Sequence, residues 1–257
     1  LRIATPRYEA AVVVAENTRV TPTSNQQIGL VFSRSSVPVT DFSQFIFAIR
    51  STVTAEELAE DPQIMRGIYE SEWDEESNQW RQPEGRGKDI RDWLRSNGII
   101  SSEWRAPDAD RLRGYVANNV TIESFDDVGM TQIAFSHPDP VFAKYFITKL
   151  IDVSREIVLS RIRADLDQQI AYIESKINEQ ASIAMQAALI REWNDKTAKR
   201  AILQDRNSYP AIIVDERDPG FAPDYPRSTI VILPTILLGV LVGMLIALVR
   251  RAYRVSA

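Results

Sequence analysis

The one imidazole of the chain is His137, in the run Phe135-Ser136-His137-Pro138-Asp139-Pro140. An imidazole can shuttle a proton or ligate a metal, but both tasks need partner groups. With one His and no Cys, the sequence excludes a two-His zinc motif, a thiolate metal site, a disulfide scaffold and a Cys nucleophile. The phosphate loop GxxxxGK[ST] and the patterns GxSxG, HExxH and GxGxxG do not occur. The acidic pairs Glu75-Glu76 and Asp126-Asp127 lie in polar stretches and read as loop charges, and nothing marks a glycosidase pair. Trp73 and Trp80 sit in a polar loop over 70–88. Their indole faces could stack on sugar, although such residues more commonly pin a loop to a surface. His137, between a strand pattern and two prolines, reads as a helix-start or packing residue. The sequence thus implies no enzyme, no cofactor and no metal, but a structural or regulatory protein.

The elements that would position these residues follow from periodicity. Arg7 to Glu16 alternates around a β-branched centre, with Tyr8, Val12 and Val14 on one face, and predicts a strand. Phe42, Phe45, Ile46 and Ile49 fall at helical spacing after Asp41, which can cap the first turn. A second helix starts near Thr54, with Ala55, Leu58, Ile64, Met65 and Ile68 on its apolar face. Ile90 to Leu94 reads as a short helix ending near Asn97-Gly98. Leu112–Ser124 and Val128–Phe135 alternate and predict an antiparallel strand pair. From Val141 to about Arg206 there is neither Pro nor Gly, which predicts a helical stretch of roughly 95–100 Å if continuous. A domain of this size is far narrower, so such a helix must project. Leu159, Ile162, Leu166, Ile170, Ile173 and Ile177 recur at three- and four-residue steps, a coiled-coil-like seam assigned to a contact between subunits. The pattern loosens over Gln180–Ala184, where a break is expected, and resumes at Met185, Leu189 and Trp193. Ala211–Glu216 reads as a returning strand.

Composition is globular, with 44% apolar and 25% charged residues, yet Ser228–Val249 is 22 residues without a charge. At 1.5 Å per residue it would reach about 33 Å, enough for a hydrocarbon core. Arg250, Arg251 and Arg254 follow at once and act as topology anchors, placing the C-terminus in the cytoplasm and the bulk of the chain outside. Within this expected span Gly239 and Gly243 form a GxxxG pair suited to helix packing, and Pro234 would kink it. Export of an outer domain would need a signal or first membrane helix ahead of Leu1. The net charge of −5, with both signs interspersed, argues against a nucleic-acid partner.

Four stretches carry a family resemblance: TPRYEAAVVV (5–14), FSHPDPVFAKYFITKLI (135–151), RADLDQQIAYIESKI (163–177) and APDYPRSTIVILPTILLGVLVG (222–243). Together they resemble the polysaccharide co-polymerases, the Wzz-type chain-length determinants of bacterial envelope glycans, in a kinase-free form. Pro223, Pro226, Pro234, Gly239 and Gly243 match family positions in the last stretch. The resemblance implies an α+β protein of the bacterial inner membrane. A periplasmic α/β base (1–137, with 206–218 returning as a strand) would carry a very long projecting helix (138–205). A Pro-rich linker (219–227), a transmembrane helix (228–249) and a cytoplasmic tail (250–257) would complete it. It implies a homo-oligomer in contact with membrane lipid, working with a polymerase or export machinery and the glycan itself. The product would be lipopolysaccharide O-antigen, capsule or exopolysaccharide. The alternative is an accessory structural subunit of a larger inner-membrane complex using a Wzz-like fold.

Overall fold

The computed structural model describes residues 5–17, 40–83, 104–125, 127–179, 182–203, 209–220 and 244. Alternation of small and β-branched residues lays down β1 (Tyr8–Glu16), whose Ala10, Val12 and Val14 are buried. β4 (Val120–Phe125), β5 (Met130–His137) and β6 (Ala211–Arg217) join it in one sheet of order β4-β5-β1-β6. Every pairing is antiparallel, with Val12 opposite Ile133 and Ile122 opposite Ile133 from the other side. A bulge between Val13 and Val14 adjusts the register to β6.

Three short helices follow β1. α1 (Asp41–Ala48) is capped by the Thr40 hydroxyl, which accepts from the Ser43 amide at 3.1 Å. The cap is thus one residue ahead of Asp41, whose carboxylate is used elsewhere. α2 (Thr52–Ala59) and α3 (Pro62–Ile68) replace the single helix that the spacing predicts from Thr54. Pro62 cannot donate an amide to a continuing helix, so the chain breaks at Asp61, which caps α3 by accepting from the Gln63 amide. The apolar face is as predicted: Ala55, Leu58, Ile64 and Met65 are all buried.

The stretch Leu112–Ser124 is corrected. Its first part is a helix, α4 (Ala109–Asn119), and only Val120 onward is strand. Asp108 accepts from the Arg111 amide at 2.9 Å, and Leu112 and Val116, four residues apart, bury one helical face. The helix predicted over 90–94 lies outside the described residues.

α5 (Pro140–Glu179) has 40 residues and is about 60 Å long. Phe146, Ile147, Leu150 and Ile151 pack it against the sheet, where Phe135 and Phe146 rings lie 4.4 Å apart. α6 (Ile183–Ile202) then runs back along α5. The predicted continuous projection is therefore a hairpin, broken where the seam loosens.

The membrane component of the predicted fold is also corrected. Among the described residues no helix is long and apolar enough to cross a membrane. α5 has the length, but Lys144, Lys149, Asp152, Arg155, Glu156 and Arg161 put a charge on nearly every turn. The expected span 228–249 lies outside the described residues apart from Met244. An anchored inner-membrane placement, with a periplasmic bulk and a cytoplasmic tail, has no support in this structure. Within the described residues the α+β base is present.

Candidate interaction surface

The root of α5 is set by His137. Its Nδ1 accepts the Asp139 amide at 3.1 Å, and the Asp139 carboxylate in turn accepts the Val141 amide at 2.8 Å. The ring lies against Phe142, with centroids 4.5 Å apart, and stacks on Phe135. Burial holds this imidazole below its ordinary range. The contact with Asp139 and the packing on Phe142 give His137 the helix-start and packing role that its sequence context predicts. Gly67 makes the neighbouring approach possible. A Cβ there would stand 2.2 Å from the Phe142 ring, so α3 lies against α5 only because Gly67 has no side chain.

The hairpin is held by four contacts that run in opposite directions along its two helices. Arg163 Nη2 donates to the Leu203 carbonyl at 2.8 Å, and Arg200 pairs with Asp167 at 3.0 Å. Further out, Trp193 Nε1 donates to Glu174 at 2.9 Å and Gln186 Nε2 to the Ile177 carbonyl at 3.4 Å. The last contact satisfies one carbonyl that the end of α5 would otherwise leave unpaired. At the base Lys199 reaches the Asp41 carboxylate at 3.3 Å, and the Tyr209 hydroxyl donates to the same group. Burial, then that hydrogen bond, push the Tyr209 phenol well up. Asp41 therefore ties α1, α6 and the start of β6 together.

This geometry relocates the seam. Leu159, Ile162, Leu166, Ile170 and Ile173 are buried within one chain, and Ile177 is half-buried. The stripe that the spacing assigns to a contact between subunits is covered by its own chain, because α6 folds back. Leu189 and Trp193 are half-buried on the facing side, while Met185 is exposed. Pro223, Pro226, Pro234, Gly239, Gly243, Arg250, Arg251 and Arg254 lie outside the described residues.

The tryptophan loop is built on itself. β2 (Trp73–Asp74) and β3 (Gln79–Trp80) form a two-stranded hairpin in which the indoles meet edge to face at 4.8 Å. The Arg66 guanidinium sits 4.3 Å over Trp73, and Tyr69 meets Trp80 edge-on. Glu72 accepts both terminal nitrogens of Arg111, at 2.7 and 2.9 Å, and the Trp104 indole at 2.8 Å. That bidentate hydrogen bond raises Arg111, and burial pushes Tyr69 up to about 12. These half-buried indoles are engaged by protein, the arrangement of a loop pinned to its domain.

Two features escape the sequence reading. Arg155 is only 7% exposed, and just its Nη1 has a partner, Asp152 at 3.3 Å. Its Nε and Nη2 are shielded and unpaired. The signal was present: Arg155 stands four residues before Leu159, in phase with the seam. Phe47, on the outer side of α1, is 79% exposed. It lines an open groove of about 340 Å³ with Val53, Ile157 and Val158. Among the described residues no group of three or more His, Asp or Glu could hold a metal ion.

Base, hairpin and exposed groove define an α+β domain that carries a helical hairpin and presents an apolar, partly charged outer face. No protein-family model matches the chain, and no curated protein resembles it closely enough to count as a relative.

Proposed function

We propose that the chain is a non-enzymatic, self-associating scaffold of the polysaccharide co-polymerase kind. It sets the chain length, or assists the export, of a bacterial envelope polysaccharide. The observation that supports this reading is the order of the elements: a first strand, a strand ending at His137, a long helix opening at Pro140 with a second helix turned back along it, and a strand returning beside the first. That order gives the first three resembling stretches a common frame, and the fourth, 222–243, lies outside the described residues. A scaffold without a nucleophile acts on a polymer through shape and spacing. Copies of the chain hold a polymerase or export machine, and the growing glycan, in fixed geometry.

Removing the protein from its source organism and resolving the envelope glycans by size tests this directly. Loss of a preferred chain length, restored by the full chain, is the expected result. An unchanged size distribution for O-antigen, capsule and exopolysaccharide alike would remove the reading. The mass of the native assembly adds a second arm. Several copies of this chain are expected, whereas one copy bound stoichiometrically to unrelated proteins would mark an accessory structural subunit.

A further inference from the structure

α6 has two apolar sides, and α5 covers one of them. Leu189 and Trp193 are half-buried on that side, where Gln186, Trp193 and Arg200 are bonded to α5. About a quarter turn round the helix runs a second series, Ile183, Ala187, Ile190, Asn194, Thr197 and Ala201. Its alternating steps of four and three residues are those of a coiled-coil seam. Ile183 and Ile190 are 84% and 46% exposed. Ala187, Asn194 and Ala201 are exposed as well, and Thr197 is half-buried.

This seam is complementary to itself when reversed. In an antiparallel pair centred between Ile190 and Asn194, Ile183 stands opposite Ala201, Ala187 opposite Thr197 and Ile190 opposite Asn194, each twice. Large residues then meet shorter ones, the alternation that fills a helix interface. On one rim the same pairing gathers Arg191 and Asp195 of both copies, exposed in the single chain, into a neutral cluster of two cations and two acids. The Asn194 amide, which a dry seam would leave unpaired, lies beside Arg191 of the second copy. A parallel pair has neither feature. It sets Ile on Ile and Ala on Ala, and it turns Arg191 toward Gln186 and Trp193, which are already bonded to α5. The contact strip is about 30 Å long and about 15 Å wide, so the two copies together cover about 900 Å². That is near the lower bound of about 1,000 Å² for a specific contact, so the pair forms reversibly, at micromolar concentration.

We infer that α6 of one copy packs antiparallel on α6 of a second, about a two-fold axis between Ile190 and Asn194. The contact is isologous and closes on itself, and it sets the two bases at opposite ends of the paired hairpins. It rests on the self-association proposed above and names the surface that carries it.

Three variants of the full chain test it. Ile190→Asp enters a two-fold contact twice and should weaken association at least about a hundredfold, about tenfold for each appearance. Arg191→Asp or Asp195→Arg alone turns the rim cluster into four acids or four bases and should weaken association about tenfold. All three sites are exposed, so circular dichroism should match the wild type. Mixed together, the Arg191→Asp and Asp195→Arg chains should form a discrete 1:1 pair in sedimentation, because the cluster again holds two charges of each sign. Wild-type association in Ile190→Asp, or a charge-reversed mixture that stays unpaired, would overturn the contact while leaving the scaffold reading standing. So would a photo-crosslinker at Ala187 that captures only unrelated envelope proteins in the cell, which would assign the seam to one of them. A wild-type chain that is monomeric at every concentration would remove both.

Discussion

Leu166→Ala separates a seam within the chain from a seam between chains. Leu166 is 3% exposed at the base end of the α5–α6 interface, between the Arg163–Leu203 and Asp167–Arg200 contacts, and is flanked one turn away by Ile162 and Ile170. The substitution removes three carbons, and at about 0.8 kcal/mol per buried methylene the transfer loss alone is about 2.4 kcal/mol. A cavity adds to this, but a two-helix layer can partly collapse, so the total should fall near 3 kcal/mol. For a domain of this size that lowers the melting midpoint by about 6–12 °C. Urea unfolding followed by circular dichroism, for wild type and variant at 1 and 100 µM, measures the difference. The loss should be the same at both concentrations, because partner and cavity belong to one molecule. A loss under about 1 kcal/mol, or one that grows on dilution, would refute the intramolecular hairpin and return the stripe to a contact between chains.

Three further outcomes follow from the same contacts. His137, the sole imidazole, gives one Hε1 resonance, whose titration midpoint should fall below the ordinary value of 6.5. Its neutral form is favoured in the fold, so stability is full above 6.5 and declines as pH falls from 6.5 towards the folded midpoint. His137→Gln should flatten that part of the curve, and a midpoint at or above 6.5 would contradict the buried acceptor role. Gly67→Ala forces a Cβ into the Phe142 ring and should cost about 1–3 kcal/mol in denaturant unfolding. A neutral effect would mean that α3 is not held against α5. Glu72→Ala strips the acceptor from Arg111 and Trp104 and should cost about 2–3 kcal/mol, with a change in tryptophan emission. No change in either readout would show that the loop is not pinned there.

Much of the base was legible because its signals are local. β1 and β6 are short β-branched runs, and α1 shows its Phe42, Phe45, Ile46, Ile49 face directly. The root of α5 is written in Asp139-Pro140, a capping acid before a proline that needs no amide donor. The misreadings arose where a local pattern had two meanings. Leu112 and Val116 fit alternation as well as helical spacing, and only the Asp108 cap decides for α4. Pro62 could have marked the break between α2 and α3, since proline tolerates a first turn better than an interior. The reversal near 180 has no Gly or Pro to announce it. Its register depends on Asp167–Arg200 and Glu174–Trp193, pairs 33 and 19 residues apart that no window on one helix can link.

That reversal also decides where association can occur. A stripe of Leu and Ile on a lone helix demands a second chain, and the sequence alone gives no other way to bury it. Once α6 covers the stripe, the demand is met internally, and the faces left over must carry any assembly. Those faces are not uniform. Most of the outer surface of α5 beyond Arg161 is small or polar, with Ala164, Gln168, Ala171 and Ser175 in line. Near the base the same side of α5 meets Phe47 and Val53 from α1 and α2, and beside that apolar trough a second groove is bordered by the buried, incompletely paired Arg155 guanidinium. An association driven by the hairpin would tolerate Phe47→Glu and fail on changes at Ile183 and Ile190. One seated at the base would do the reverse, and because the hairpin also exposes Tyr172, Ile183, Met185 and Ile190, the two sets of variants decide between two apolar surfaces.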